Sequence, residues 1–520
     1  MLENYWLTVL PAYLLGLAFS LLAEALLTPR PVAPWRRPAW AWGVHLGLWT
    51  LMFGLELALF RRPYFGAANV LAIQVLIILV SNAKHQALEE PFVFQDFEYF
   101  LDAVKHPRLY LPFFGLARAL AAAGGYAFAL WAGVSWEPSM TATTAGDAWR
   151  HAGFFIQTAL LVAAGLACAL AAGRHARVNF NAIEDLRRLG LAAALWAYGR
   201  AERQPTGAIR QAAPFARLAP PTALPDLLPD MVVIQSESFF DARRIYPQLR
   251  EDILANFDRL KSESVQHGTL NVAARGANTV RTEFSFLSGM AAGDLGVHQY
   301  NPYRRLAQQG FPTLALHLKQ LGYRTICVHP YHRSFYRRNT VLPLLGFDQF
   351  IGIEAFSDAA RDGPYVGDRA LGEYVLSLLN DDKGKPVYIH VITMENHGPL
   401  HWETVTEADT AATLRAPVPA GCDDLVAYAR HLRNADLMLG ELAGALAGRA
   451  RMAALCLFGD HVPIMPAVYC RLGAPQGETD YVLWRSDGRR SGGQHECDVS
   501  RLAFMYLKAA GLMPSKMPVL

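Results

Sequence analysis

A helix needs about 20 consecutive apolar residues to cross the hydrocarbon core of a bilayer, and the first third of this chain holds five stretches of that order. They are Tyr5 to Leu27, Ala39 to Phe60, Gly66 to Ser81, Phe113 to Val134 and Gly153 to Ala172. The third is short and the fourth carries Arg118. One such run could be a buried core helix, but five in succession predict a polytopic membrane anchor over residues 1–175. The first run lacks the basic leader of a signal peptide, and four more runs follow it. The segment Glu89 to Pro112, acidic and aromatic, fits either an interfacial stretch or an ordinary loop.

Loop charges speak against the simplest topology. Arg30, Arg36 and Arg37 follow the first run, and Arg61 and Arg62 the second; Lys84, Lys105 and Arg108 are offset by Glu89, Glu90, Asp96, Glu98 and Asp102. Five spans with a cytoplasmic N-terminus put the C-terminal part outside, but they put the first basic loop outside too, against the positive-inside rule.

The rest of the chain reads as a globular enzyme. Hydrophobic residues make up 52% of the whole and charged residues 18%, so the apolar excess is concentrated at the start. A net charge of +3, with no basic tract interleaved with aromatics, argues against a nucleic-acid partner. Six cysteines at irregular spacing, with no C-x-x-C pair, make neither a disulfide framework nor a thiolate metal site. One bridge among Cys327, Cys422, Cys456, Cys470 and Cys497 stays open. Residues 176–228, helical and then rich in Pro and Ala, read as a linker.

From residue 229 onward short apolar runs alternate with helical patterns, which predicts an α/β domain with a mostly parallel central sheet. Four runs end in the same way. Met231 to Gln235 leads to Ser236 and Glu237; Tyr323 to Val328 to His329, Tyr331 and His332; Val387 to Thr393 to Glu395, Asn396 and His397; Ala453 to Phe458 to Gly459, Asp460 and His461. In open α/β sheets, sites form beyond the carboxyl ends of strands. These four ends should therefore face one cleft.

Glu237, Asp460 and His461 offer two hard oxygens and a borderline nitrogen, a set suited to Mn²⁺, Zn²⁺ or Mg²⁺. Gly459 would allow a sharp turn ahead of the last two. Around Ala274 to Gly289 small residues give way to an apolar helix that the pattern starts near Thr282. Thr279 there is either a helix N-cap or a nucleophile: beside a metal, its hydroxyl could lose a proton and attack phosphorus.

Six motifs carry a family resemblance: VVIQSESF (232–239), ANTVRTEFSFLSG (277–289), HPYHRSFYRRN (329–339), LGFDQF (345–350), TMENHGP (393–399) and LFGDHVP (457–463). In that order they resemble the lipoteichoic acid synthase family, membrane-anchored phosphoglycerol transferases of the alkaline phosphatase and sulfatase superfamily. The resemblance runs from Met231 to about Leu512, and the apolar runs ahead of it match the family's layout. It implies an extracytoplasmic sulfatase-like domain over residues 229–520 on a multi-pass cytoplasmic (inner) membrane anchor. It also implies Thr279 as the nucleophile carrying phosphoglycerol, and one metal, usually manganese, held by Glu237, Asp460, His461 and the Thr279 oxygen. By the same resemblance His397 contacts the substrate phosphate or glycerol and handles a proton, and Arg338 binds the head group. Tyr336 stands where relatives often have tryptophan, and Ala277 and Asn278 replace the usual glycine-rich run before the threonine. The implied partners are a phospholipid donor, phosphatidylglycerol favoured, and an envelope polymer or glycan as acceptor.

Competing readings are a phosphoethanolamine transferase, a phosphodiesterase using the same site, and a membrane sensor or scaffold that kept the fold. A sulfatase activity is disfavoured, because position 279 is Thr and no Cys/Ser-x-Pro-x-Arg pentad occurs. His329, His332 and His495 are secondary candidates, each readable as a structural histidine.

Overall fold

The structure is a computed structural model that describes residues 2–99, 116–141, 148–218, 225–356, 361–381 and 384–513. It divides into two compact units, residues 1–204 and 205–520.

The first unit is helical. Tyr5–Leu26, Ala39–Phe60, Pro63–Leu88 and His151–Gly173 are long and apolar enough to cross a bilayer. The run expected to be short thus lies within a 26-residue helix, because Pro63 starts it at a position where its missing N–H costs nothing. The run expected from Phe113 begins outside the described residues; its remainder is the helix Leu116–Trp136. Residues 100–112 of the expected interfacial segment also lie outside them. Large apolar side chains such as Leu7, Leu22 and Leu160 point outward, as lipid-facing residues do. Inside, small residues bring two helices into backbone contact: a Cβ on Gly47 would lie 2.4 Å from the Ala169 nitrogen, and one on Gly165 2.5 Å from that of Leu51. The buried Glu24 pairs with Arg37 and accepts the Leu191 N–H (2.8 Å) at the start of the helix Leu191–Glu202. That pairing makes the helices over 182–202, expected in the linker, part of the helical unit.

The second unit is built on a nine-stranded sheet. Its strands are β1 (Asp230–Ser236), β2 (Gln266–Asn271), β3 (Arg324–Val328) and β4 (Gln349–Ile351). The small hairpin β5 (Arg361–Asp362) and β6 (Tyr365–Val366) stands apart. β7 (Val387–Ile392), β8 (Ala453–Gly459), β9 (Thr479–Arg485), β10 (Gly493–Gln494) and β11 (Cys497–Asp498) complete the sheet. The order is β10-β2-β9-β8-β1-β7-β3-β4, with β11 also on β2. β8, β1, β7, β3 and β4 are mutually parallel, and β9 is antiparallel to both neighbours.

β1 is buried along its whole length, which is why it reads as an uninterrupted apolar run. Met231 and Val233 pack on one side with Phe284 and Leu507, while Val232 and Ile234 pack on the other with Leu432 and Leu439 of the helix Asp423–Ala447. The sheet is therefore the middle of three layers. All six cysteines are free thiols, so the bridge left open by the sequence does not form.

Candidate active site

The four strands whose endings matched are neighbours, in the order β8-β1-β7-β3. Register aligns their ends: Ser236 lies against Gly459, Gln235 against Ile392, and Val328 against Val391. The chain therefore releases Glu237, Asp460 and His461 side by side. Among the described residues their ligand atoms lie within 4.8 Å of one another, and all three are buried.

Gly459 matters for a different reason than a turn. A Cβ there would fall 1.8 Å from the Phe239 carbonyl oxygen, so only glycine lets the chain after β1 pass the end of β8. That passage puts Ser238 between the ligands, with a left-handed backbone (φ 55°). Its N–H donates to Asp460 Oδ1 (2.9 Å), and its hydroxyl donates to Glu237 Oε1 (3.1 Å) and lies 3.4 Å from His461 Nδ1. Thr393, at the end of β7, accepts the Glu237 N–H (2.9 Å).

One atom of each of Asp460 and His461 is left over. Asp460 Oδ2 and His461 Nε2 are buried without a hydrogen-bond partner, 3.7 Å apart, and Nε2 is 3.3 Å from Glu237 Oε1. His461 Nδ1 lies 3.1 Å from the Val462 carbonyl, which can only accept, so Nδ1 carries a proton and Nε2 is the nitrogen that would bind an ion. Burial and the neighbouring Glu237 push the Asp460 carboxyl up to about 7. Burial disfavours the His461 imidazolium, but Asp460 and Glu237 outweigh it and raise its pKa. The two carboxylates crowded in a dry site repel each other until a cation lies between them. The residues present fit a divalent ion.

Thr279 is the first residue of the helix Thr279–Ser288, which begins three residues ahead of the sequence expectation because Asn278 adopts a left-handed backbone (φ 65°). Thr279 is not the N-cap. Its side chain is buried beside the Asp460 carboxylate, at the positive end of a ten-residue helix. One turn on, Thr282 donates to the Asp460 carbonyl oxygen (2.8 Å), and Phe286 stacks on Phe458 (4.7 Å). Helix and strand end are thus fastened together over the two turns that follow Thr279.

The remaining candidate residues lie on other elements of the same unit. His397 is half-buried on the loop after β7, its Nδ1 2.8 Å from the Gly398 carbonyl and its ring 5.7 Å from that of Tyr365. Arg338 is 1% exposed, its Nη2 donating to Glu283 Oε2 (2.6 Å). Tyr303 donates to the other oxygen of the same carboxylate (2.5 Å). Burial opposes the charge on Arg338, and Glu283 keeps it. Tyr336, with φ 53°, sets its ring 5.3 Å from the Arg338 guanidinium. His329 is buried, and burial followed by the field of Arg338 holds its pKa well below the usual range; its Nε2 has no partner. His332 and His495 are exposed, His495 lying between the edge strands β10 and β11.

Sequence reasoning passed over Ser238 and Thr393, although both lie inside motifs it had singled out. It also passed over a buried chain of groups behind the His397 loop. His431 bridges Glu395 Oε1 (2.7 Å) and Glu403 Oε2 (2.9 Å), and the backbone N–H of Asp368 donates to Glu395 Oε2 (2.6 Å). His431 stands in the middle of a long amphipathic helix, where nothing in the local pattern separates it from a core residue.

Sheet, ligand trio and helix together define an alkaline phosphatase-like domain that follows an apolar helical region in the chain, a fold of enzymes that use a divalent metal. The family profile described as Sulfatase matches residues 229–512, more than half of the chain, and the chain belongs to that family. It is 28% identical over 464 residues to the capsular polysaccharide biosynthesis protein RkpI of Rhizobium meliloti (strain 1021), covering 83% of this chain and 79% of that protein. The lipooligosaccharide phosphoethanolamine transferase A (EptA) of Neisseria meningitidis shares the fold over 90% of this chain and 87% of its own (TM-score 0.53, 13% identity). The Streptococcus pyogenes phosphoglycerol transferase GacH, solved with sn-glycerol-1-phosphate, aligns over 60% of this chain and 80% of its own (TM-score 0.45, 18% identity). Membrane phosphoryl transferases of this superfamily are thus among the chain's structural neighbours, in keeping with the resemblance carried by the six motifs.

Proposed function

We propose that this chain moves a glycerol phosphate head group from a membrane phospholipid, phosphatidylglycerol, through a covalent Thr279 intermediate to an envelope polymer or glycan. The observation that carries the reading is the buried ligand trio with two unpartnered ligand atoms, beside Thr279 at a helix start. Glu237, Asp460, His461 and the Thr279 oxygen hold one divalent ion, manganese in preference to zinc or magnesium. When bound, such an ion favours the alkoxide of Thr279 and offsets charge on the phosphoryl oxygens.

Thr279 Oγ forms a bond to phosphorus as the bond to the diacylglycerol oxygen breaks, and that oxygen takes up a proton. His397, half-buried on its loop, handles that proton. In the second half an acceptor hydroxyl attacks the same phosphorus and Thr279 leaves. Arg338, oriented by Glu283, directs its remaining N–H groups at the head group, with Tyr336 over its face. The anchor is multi-pass in the cytoplasmic membrane and the catalytic unit is extracytoplasmic.

The test uses purified full-length protein in nanodiscs with labelled phosphatidylglycerol or phosphatidylethanolamine. Label from phosphatidylglycerol should appear on Thr279 by mass spectrometry, and Thr279→Ala should abolish it. The whole-chain likeness to a phosphoethanolamine transferase supports a second reading, and label taken instead from phosphatidylethanolamine would establish it.

A further inference from the structure

The catalytic unit carries a second concavity that the phosphoryl chemistry does not use. After Pro399 the chain passes through the short helix Leu400–Trp402 and enters the helix Glu407–Thr413. With the segment that follows, these enclose a cleft of about 860 Å³. That is the size of a site for a drug-sized ligand and far more than a three-carbon head group needs. The cleft belongs to the site loop: Leu400 lines it and is only three residues from His397, a Cα separation of about 11 Å at most.

One wall residue points to a ligand. Glu403 has a side chain only 6% exposed, and its Oε2 accepts from Arg430 (2.6 Å) and His431 (2.9 Å). Its Oε1 is buried with no partner, although the residue lines the cleft. A buried carboxylate oxygen costs free energy until a donor reaches it. Further carboxylates, Glu407, Asp423 and Asp424, line the same cleft, and the lining cation Arg415 is already paired with Glu251 (3.0 Å). Such a lining accepts hydrogen bonds from hydroxyls and repels a chain of phosphates. Trp402 is not itself a lining residue, but it is 52% exposed next in sequence to the lining residues His401 and Glu403, so its aromatic plane lies open to the C–H face of a sugar ring extending past the cleft.

We infer that this cleft is the acceptor subsite and that the acceptor is a neutral, hydroxyl-rich saccharide, not a polyanionic chain. The inference rests on the transferase reading above. An acceptor hydroxyl reaching from the cleft attacks the phosphorus held on Thr279. The phosphorus–Oγ bond breaks, and the hydroxyl proton passes to the threonine oxygen.

The experiment measures binding without any donor. Full-length protein in nanodiscs is titrated with a short neutral gluco-oligosaccharide and, separately, with a poly(glycerol phosphate) oligomer of similar length. Saturation-transfer NMR and calorimetry give the dissociation constants. The neutral saccharide should bind, Trp402→Ala should weaken it about tenfold, and Ala411→Trp, which fills the cleft from an exposed helix position, should abolish binding; these factors correspond to about 1.4 kcal/mol or more. The polyanion should not bind. With labelled phosphatidylglycerol present, Trp402→Ala should lower the ratio of transfer to hydrolysis by about the same tenfold.

Binding of the polyanion at least as tightly as the saccharide, or saccharide binding indifferent to both substitutions, would overturn the inference. So would label on Thr279 in a protein that binds no neutral saccharide. If neither phospholipid is cleaved but saccharide binding still depends on Trp402 and Ala411, the transferase reading falls and the saccharide site stands.

Discussion

At the scale of single residues the proposed metal site depends on groups outside the ligand trio. Ser238 holds a ligand oxygen of Asp460 through its N–H and one of Glu237 through its hydroxyl. Groups that orient metal ligands are typically worth about 10–100-fold in affinity. Ser238→Ala keeps the N–H and loses the hydroxyl, so Mn²⁺ affinity should fall by about tenfold, the lower end of that range, when followed by metal titration of the full-length protein. An unchanged affinity would reduce Ser238 to a backbone spacer. Arg338 presents the opposite problem. Its charge is buried against Glu283, and removing one partner of a buried pair costs about 3–5 kcal/mol. Arg338→Ala should therefore unfold the catalytic unit earlier on heating, whereas Arg338→Lys, which keeps the charge but not the fork, should chiefly weaken donor use. A stable alanine variant that still uses phosphatidylglycerol would sink both roles.

At the scale of elements, the endings of β1 and β8 and the helix Asp423–Ala447 make two predictions. Gly459→Ala would set a methyl 1.8 Å from the Phe239 carbonyl, where a backbone atom cannot yield cheaply. Overpacking of this kind costs about 1–3 kcal/mol, and the strain would fall between the metal ligands. Metal occupancy should drop further than stability does, as read by elemental analysis and thermal melts. The long helix carries His431 between two glutamates. Burial opposes its charge, but Glu395 and Glu403 outweigh that and hold its pKa up at about 9. In the unfolded chain it titrates near 6.5, so folding keeps a proton that the unfolded chain gives up. The resulting stabilisation, on the order of 3 kcal/mol, is complete below about pH 6.5 and is lost as pH rises through about 9. Amide exchange across the helix Asp423–Ala447 should accelerate over that window beyond the intrinsic rate. His431→Gln should flatten the excess.

For the whole molecule, metal binding and orientation are the measurable consequences. A ligand that binds only the folded state stabilises it by about 2.7 kcal/mol at a hundred times its Kd. Chelation should lower the melting temperature of the full chain and stop turnover together, and Mn²⁺ should restore both better than Ca²⁺, which prefers more oxygen ligands at longer distances. Activity that survives complete removal of metal would dismantle the site. A reporter fused at the C-terminus should register outside the cytoplasm. A cytoplasmic signal would mean that the basic loops, with Arg30, Arg36 and Arg37 in the first, set the topology after all.

Much of this was legible before any coordinates. Long apolar runs announce membrane helices because a bilayer fixes the length a helix must have. Strands buried on both faces read as continuous apolar segments, and the polar residues that end them mark where the sheet opens. Glu237, Asp460 and His461 were therefore visible as a set, since side-by-side parallel strands bring their ends together whatever their separation in the chain. The helix beginning at Thr279 could be placed only roughly, because a left-handed Asn278 has no reliable local signature. Pairings over long sequence distances were beyond local reasoning altogether. Glu283 claims Arg338 from 55 residues away, and His431, on a helix, joins the loop residues Glu395 and Glu403. Local pattern fixes which residues are apolar, helical or extended. Tertiary packing alone decides which buried charge finds which partner, because desolvation forces that choice only once the layers have closed.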